Sequence, residues 1–219
     1  MDASELEARF FDHVPEQFCR RLLRMIFDAR RRAWDHCAAE FPPTEAENVR
    51  PFYVRGKVET QLREVADLHA GDGLIHRVLK APGSGWNHTE VLAGPILLTA
   101  GAVQSPCGPI NKADFRLGLA ASNQGTLFDS GPAGSHLYVM LIHSGYRSVN
   151  SSEQRKYGHL AGSAYLAFPA SDLDTYLHEI NLFERYPDIV GANLPQEWDQ
   201  EAVVKFMYYA RKSSWPRAS

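Results

Sequence analysis

The sequence predicts an α+β fold, in which a helical hairpin precedes a central sheet and two further helices follow the sheet. Two observations support this prediction. Apolar residues recur in steps of about 3.6 as far as Gly71, and then mostly in steps of two until about Phe168. Gly, Pro, Ser and Asn cluster between the apolar runs of the second region, as turns between strands require. This order predicts a helical layer against a mixed or antiparallel sheet of five to six strands.

The helical hairpin is predicted from about residue 15 to residue 70. Its first helix starts at Pro15, a residue suited to the first turn, and reaches about Glu40, where Pro42 and Pro43 stop it. The second helix is predicted from about Pro51 to the C-cap at Gly71. Thr44 and Glu47 form a capping-box pattern, but Pro51 follows too closely for a long helix to start there.

The sheet is predicted between about residues 74 and 168 from short apolar segments with period two. These segments are Leu74–Lys80, His88–Leu92, Ile96–Val103, Phe115–Ala121, Leu137–His143 and Ala164–Phe168. The polar stretch Gly145–Gly162 is predicted as a long exposed loop. The C-terminal helices are predicted within about residues 171–211, one from Ser171 through Phe183 and one from about Glu197 to Arg211. No repeat or linker divides the chain, so residues 1–219 are expected to form one domain.

Composition limits the classes of function. The net charge of −3 argues against a chain that is basic throughout, as dedicated nucleic-acid domains usually are. The three cysteines, Cys19, Cys37 and Cys107, have no disulfide or zinc-knuckle spacing, which favours reduced thiols and a cytoplasmic location. The N-terminus lacks the pattern of a signal peptide, and the longest apolar run, Pro95–Val103, is too short to span a membrane.

The first helix carries a cluster of arginines that predicts a binding surface. Five of them fall within about 120° of each other on a helical projection, away from the apolar stripe; they are Arg20, Arg21, Arg24, Arg31 and Arg32. The planar guanidinium group suits phosphate and carboxylate, so a nucleic acid or an acidic protein surface is the expected partner. The alternative is a solvated helix face whose arginines pair with acidic neighbours.

A polar cluster around the segment Phe115–Ala121 predicts a cleft at one edge of the sheet. Asp114 and Arg116 precede or begin this segment, Asn123 follows it, and His143 ends the next predicted strand. If these strand ends meet, His143 can act as a general base and Arg116 can stabilise developing negative charge. The alternative is turn chemistry at Asn123 and a structural ion pair at Arg116.

One short pattern is a partial match to a metal-enzyme signature. His88-Thr89-Glu90 followed by Pro106-Cys107 is similar to the HxE…PCxxC pattern of zinc-dependent nucleobase deaminases. The second cysteine of that pattern is missing, because Gly108, Pro109 and Ile110 follow Cys107. A site with only two ligands would be weak, so the sequence predicts neither zinc nor another cofactor.

Three functions therefore follow from the sequence. The leading prediction is a binding or regulatory module that docks a nucleic acid or an acidic protein through the arginines of the first helix. The alternative is a small hydrolase or nuclease-like enzyme with Asp114, Arg116 and His143 in one cleft, joined by His88. A third, a self-associating homo-oligomer, rests on aromatic residues near the C-terminus: Phe206, Tyr208, Tyr209 and Trp215.

Overall fold

The structure, a computed structural model, describes residues 2–81, 85–103, 110, 112–127, 136–148 and 150–211, except the side chains of residues 124–127, 209 and 211. Its N-terminal layer contains helices α1 (Ala3–Phe11), α2 (Glu16–Glu40) and α3 (Pro43–Asp67). Three helices follow the sheet: α6 (Leu182–Arg185), α7 (Pro187–Asn193) and α8 (Gln200–Arg211). The predicted α+β class is confirmed.

The central sheet is mixed and contains six strands in sequence order. They are β1 (Leu74–Lys80), β2 (Asn87–Ala93), β3 (Ile96–Ala102), β4 (Leu137–Gly145), β5 (Ala161–Pro169) and β6 (Tyr176–Asn181). All neighbouring strands are antiparallel except β3 and β4, which are parallel. Two more helices connect strands, α4 (Asp114–Leu127) between β3 and β4 and α5 (Ser151–Tyr157) between β4 and β5.

The predicted strand Phe115–Ala121 is wrong, because this segment lies in α4. Parallel strands cannot be joined by a tight turn, and a helical crossover is the usual solution for the connection from β3 to β4. Ala120 and Asn123, three residues apart, are both fully buried, which is the spacing of one helix face. The residues predicted as the two ends of a strand, Asp114 to Arg116 and Asn123, thus belong to one helix.

The predicted helix from Ser171 through Phe183 is also wrong in its first part. The Asp172 carboxylate accepts hydrogen bonds from the backbone N–H groups of Asp174 at 2.8 Å and Thr175 at 3.3 Å. Leu173 adopts φ 58°, in the left-handed region that favours glycine. This tight turn reverses the chain into β6, which pairs with β5, and the helical spacing of apolar residues there does not form a helix.

Two further segments differ from the sequence prediction. Helix α3 starts at Pro43 and continues through Pro51, although an internal proline removes one backbone hydrogen bond. The polar stretch predicted as a long loop contains α5, whose N-terminus is capped by Asn150. Helix α3 thus tolerates Pro51 in its interior, and the polar stretch forms a short helix with a local cap.

The sheet has two distinct faces. The hairpin face, which carries Leu137, Val139 and Leu141 of β4, packs against the N-terminal helices and the C-terminal helices. The α4 face carries the alternate residues Tyr138, Met140 and Ile142. Because side chains alternate along a strand, a residue's parity on β4 decides which layer of the protein it contacts.

Asn123 ties α4 to the sheet. Its Nδ2 donates to the carbonyl oxygens of Tyr138 at 3.0 Å and Pro169 at 2.9 Å, and its Oδ1 accepts from the Tyr138 N–H at 2.6 Å. The residue is fully buried, so its amide serves the backbone of β4 and β5. We assign Asn123 this structural role, and its binding role stays a prediction.

Replacing Asn123 with Ala should therefore lower the free energy of unfolding by about 2–4 kcal/mol, because three buried backbone groups lose their partner. Urea denaturation measures this change. Asn193→Ala is the matched control, since Asn193 makes a single half-buried hydrogen bond at 2.8 Å and its loss should cost about 1 kcal/mol or less. Equal effects of the two substitutions would contradict the assigned role.

Candidate functional site

Strands β2 and β3 separate from each other along half of their length. Each has seven residues, but they pair only from Val91↔Leu98 to Ala93↔Ile96. The remainder of β2 stays paired with β1, and the remainder of β3 stays paired with β4. We call the opening between residues 87–90 and residues 99–102 the strand fork. Backbone polar groups that face the strand fork need partners other than the neighbouring strand.

Side chains from the helices on both faces of the sheet provide these partners. From α3, the Glu59 carboxylate accepts a hydrogen bond from the Thr89 backbone N–H at 2.6 Å. From α4, the Arg116 guanidinium donates to the carbonyl oxygen of Ala100 at 3.2 Å. The strand fork is therefore a place where an acidic and a basic side chain from two separate layers come close to the same strands.

A buried histidine and glutamate lie side by side on β2. The side chains of His88 and Glu90 are 5% and 4% exposed, and His88 Nε2 lies 3.3 Å from Glu90 Oε1. The other oxygen of Glu90 accepts from Arg77 Nε at 2.7 Å. Because a carboxylate oxygen only accepts, this pairing favours the tautomer with hydrogen on Nε2. The Nδ1 atom of His88 is buried and has no hydrogen-bond partner within the described residues, so it is left with a free lone pair.

Two residues at the start of α4 cover this pair. The Phe115 ring stacks on the His88 ring with centroids 4.0 Å apart, and the Arg116 guanidinium carbon lies 5.2 Å from the Phe115 centroid. Burial lowers the pKa of Arg116 and raises the pKa of the nearby Tyr138 to about 12. At neutral pH the group thus contains a guanidinium cation, a neutral phenol and a carboxylate-oriented imidazole.

The predicted common cleft of Arg116 and His143 is wrong. His143 is two residues after Leu141 on β4, so its side chain lies on the same hairpin face. The positive charge of Arg30 of α2 is close enough there to lower the pKa of His143. Arg116 instead approaches Tyr138 from the α4 face. Asp114 is exposed in the first turn of α4, where its charge suits the helix dipole. The histidine that lies near Arg116 is His88, and catalytic roles for Asp114, Arg116 and His143 stay predictions.

His143 is a buried, uncharged histidine. Only 1% of the residue is exposed, and burial together with the neighbouring Arg30 lowers its pKa to about 3. Its Nδ1 has no hydrogen-bond partner in the part of the chain that the structure describes. A neutral imidazole on this face avoids adding another positive charge beside Arg30.

The five arginines predicted as a binding surface differ in their surroundings. Arg21, Arg24, Arg31 and Arg32 are exposed and Arg20 is half-buried. Arg20 pairs with Asp188 of α7, and Asp28 pairs with both Arg31 at 3.1 Å and Arg32 at 2.7 Å. Arg24 also lines a groove of about 290 Å³ between α2 and α7, together with Asp28, Asp188 and Asn193. Carboxylates thus offset part of the charge that the sequence pattern suggests.

The aromatic residues predicted to support self-association lie in two different settings. Phe206 of α8 is buried against the sheet, whereas Tyr208 is 53% exposed. Trp215 and the side chain of Tyr209 lie outside the described residues. A homo-oligomer therefore stays a prediction.

Comparison with known proteins adds no functional assignment. The chain matches no protein-family model, and no curated protein or solved structure matches it either. Among the described residues, no three His, Cys, Asp or Glu side chains are arranged to hold a metal ion. Cys107 of the partial zinc pattern lies outside those residues. No helix in the described chain combines the length and apolar character needed to cross a bilayer.

The strand fork can be found in the sequence only in part. His88-Thr89-Glu90 is visible as a short polar pattern inside an apolar strand, and it is the segment that partly matches a deaminase signature. Glu59 gives no such signal, because it is one of many charged residues on α3. Its role depends on where the β2–β3 ladder stops, which no local pattern encodes.

The buried state of His143 predicts a specific acid dependence of stability. In the folded protein its pKa is about 3 and in the unfolded chain it is near 6.5, so between these values only the unfolded chain binds the proton. Stability should fall as pH decreases through this window, by up to about 1.4 kcal/mol per pH unit from this residue. Urea denaturation of the wild type and of His143→Gln between pH 4 and pH 7 measures the difference. Equal slopes for the two proteins would show that His143 titrates normally.

Proposed function

We propose that the protein is a hydrolase that cleaves phosphodiester bonds in nucleic acid, with the strand fork as its active site. The observation that carries the proposal is the buried pair of His88 and Glu90, in which Glu90 holds Nε2 and leaves the lone pair of Nδ1 without a partner among the described residues. A carboxylate-oriented imidazole is a common general base in hydrolysis. Arg116 supplies a cation 5.2 Å from the centroid of the Phe115 ring that stacks on His88.

In this proposal, His88 removes a proton from water at Nδ1, and the resulting hydroxide attacks phosphorus. The bond from phosphorus to the leaving oxygen then breaks, and the imidazolium returns the proton to that oxygen. Glu90 stabilises the imidazolium while the proton is on it, and Arg77 keeps the Glu90 carboxylate in position. The positive charge of Arg116 offsets the charge that develops on the phosphoryl oxygens.

An exposed aromatic pair supports nucleic acid as the substrate. Phe52 and Trp86 are 57% and 48% exposed, and their rings stack with centroids 5.8 Å apart and 16° between their planes. The Arg55 guanidinium lies 5.0 Å from the Trp86 centroid. Exposed rings beside cations bind single-stranded nucleic acid by base stacking. Trp86 precedes His88 by two residues, about 7 Å along the chain, so a base stacked there leaves its phosphate close to the strand fork.

Substitution of His88 tests the chemistry directly. His88→Gln should lower kcat for cleavage of single-stranded DNA or RNA by about 100-fold or more, the usual contribution of a positioned general base. Glu90→Gln should also lower kcat, because the amide no longer stabilises the imidazolium. His13→Gln is the matched control, since His13 is exposed, and it should leave kcat unchanged.

Two further measurements keep this test decisive. Urea denaturation separates loss of activity from loss of folding, because His88 and Glu90 are buried. Trp86→Ala should raise KM for oligonucleotides by about tenfold while leaving cleavage of a small phosphodiester unchanged, since it removes only stacking. A wild-type protein that cleaves no nucleic acid, or a folded His88→Gln protein with full activity, would overturn the proposal.

A second candidate function is a docking surface on α2 for the backbone of a nucleic acid. It is favoured by Arg21 and Arg24, which are exposed and form no ion pair with the described residues, and Arg24 lines the groove between α2 and α7. Two exposed cations that bind phosphates would contribute to affinity in a salt-dependent way.

The double substitution Arg21→Glu and Arg24→Glu should weaken oligonucleotide binding and reduce the slope of log affinity against log salt by about two, one for each phosphate that is no longer neutralised. Fluorescence anisotropy between about 50 and 200 mM salt measures both, since such slopes are resolved over this range. Arg31→Glu with Arg32→Glu is the comparison, because Asp28 already pairs with both arginines. An unchanged slope for the first pair would exclude this surface.

We also propose that the protein works in a reducing compartment, the cytoplasm. Cys19 and Cys37 are buried and free, and burial raises the pKa of both thiols, which keeps them protonated and unreactive. Unpaired structural thiols of this kind are typical of proteins that are not exposed to oxidising conditions.

A further inference from the structure

A cluster of arginines lies on the hairpin face at the end of β4, away from the five arginines of α2 described above. Arg30 belongs to the opposite side of α2, and its Nε donates to the carbonyl oxygen of Leu160 at 3.2 Å. Its Nη2 lies so close to Gly145 that a Cβ atom there would be 1.8 Å away. The glycine at the end of β4 therefore makes room for a guanidinium group that is packed against the backbone.

Arg50 of α3 provides a second guanidinium group at this place. Its central carbon lies 3.7 Å from the centroid of the Trp34 ring, which holds the group flat against α2. Its Nε is buried and has no hydrogen-bond partner within the described part of the chain. The Arg50 guanidinium group is therefore positioned by stacking on Trp34, and its Nε–H remains able to donate a hydrogen bond to a ligand.

The charges around Arg30 are unusual for a partly buried cation. Its charged neighbours are two other arginines, Arg50 and Arg147. Burial and the repulsion from these two cations together lower the pKa of Arg30 to about 10. Glu47 acts on Arg50 from the preceding turn of α3, but none of the three arginines forms an ion pair with a described residue. Cations that share a partly buried site without a carboxylate destabilise the fold unless an anion compensates them.

His143 lies next to Arg30 on the hairpin face. The residue is 1% exposed, and its Nδ1 has no hydrogen-bond partner among the described residues. An imidazole with an unused nitrogen beside Arg30 can donate to or accept from a ligand atom. The unpartnered nitrogen is a second unsatisfied polar group beside Arg30, in addition to Nε of Arg50.

We propose that Arg30, Arg50 and Arg147 bind a phosphoryl group. A carboxylate carries one negative charge, whereas a phosphate monoester carries about two at neutral pH and offers three acceptor oxygens, which better matches three guanidinium groups. Arg147 is exposed and the other two are half-buried, so the site opens to solvent on the side of Arg147.

The site is separate from the strand fork but lies at the same end of the sheet. His143 pairs with Ala102, the last residue of β3, and the strand fork is formed by that same half of β3. On α3, Arg50 precedes Glu59 by nine residues, about 13 Å along the helix axis. The phosphoryl group could thus belong to a free phosphorylated molecule or to a nucleic acid that extends from the strand fork, and the binding itself does not depend on His88.

The test is binding of inorganic phosphate to the full chain, measured by titration calorimetry and by thermal denaturation at constant ionic strength. Phosphate should raise Tm and bind more tightly than acetate at equal concentration. Arg50→Gln and Arg147→Gln should each weaken the affinity for phosphate by about tenfold, the loss expected for one charge-assisted hydrogen bond. Arg9→Gln is the control, since Arg9 lies in α1 and belongs to none of the proposed binding surfaces.

Further variants and a competition experiment distinguish the alternatives. Arg30→Met should raise Tm in phosphate-free buffer and abolish the response to phosphate, because the uncompensated cation is removed. If the phosphoryl group belongs to nucleic acid, a single-stranded oligonucleotide should displace phosphate; if it does not, the two should bind together. A phosphate effect on Tm no larger than that of chloride, or equal weakening by Arg9→Gln and Arg50→Gln, would overturn the proposal.

Discussion

The parallel pairing of β3 with β4 is the constraint on which the remaining arrangement depends. Two consecutive parallel strands need a crossover, and the chain supplies α4 for it on the face opposite the N-terminal helices. This crossover brings Phe115 and Arg116 to the C-terminal half of β3, where β3 is no longer paired with β2. The same register sends His143 to the other face. One choice of strand pairing therefore forms the strand fork and separates it from the arginine cluster around Arg30.

The sheet divides its buried charges into two different environments. On the α4 face, Glu90 lies between Arg77 and His88, so the Arg77 cation has a carboxylate close to it. On the hairpin face, Arg30 has two other arginines as its charged neighbours. The first arrangement is balanced within the chain, which suits proton transfer at neutral net charge. In the second, Arg30 has no carboxylate that pairs with it among the described residues, which is why we assign the site to an anionic ligand.

The sequence predicts best the elements whose periodicity is long and whose ends are marked. Helix α2, with its regular apolar stripe, and the strands β1 to β4 lie within a few residues of their predicted places. Helix α4 is not predicted, because the alternation of Leu117 and Leu119 suggests a strand. The need for a helical crossover at this point follows from the topology of the whole sheet. Strand β6 is not predicted either, because the spacing of its apolar residues also fits a helix. His88 and Glu59 both lie at the strand fork because of where strands β2 and β3 stop pairing, and local sequence patterns do not contain this information.

The tautomer of His88 tests the central claim most directly. ¹⁵N NMR of histidine-labelled protein at neutral pH distinguishes a protonated nitrogen from one with a lone pair. The arrangement with Glu90 predicts that His88 carries hydrogen on Nε2 and a free lone pair on Nδ1, and that Glu90→Gln removes this preference. A wild-type His88 with hydrogen on Nδ1 and a lone pair on Nε2 would contradict the assignment, because Nδ1, the proposed general base, would then have no lone pair to accept a proton.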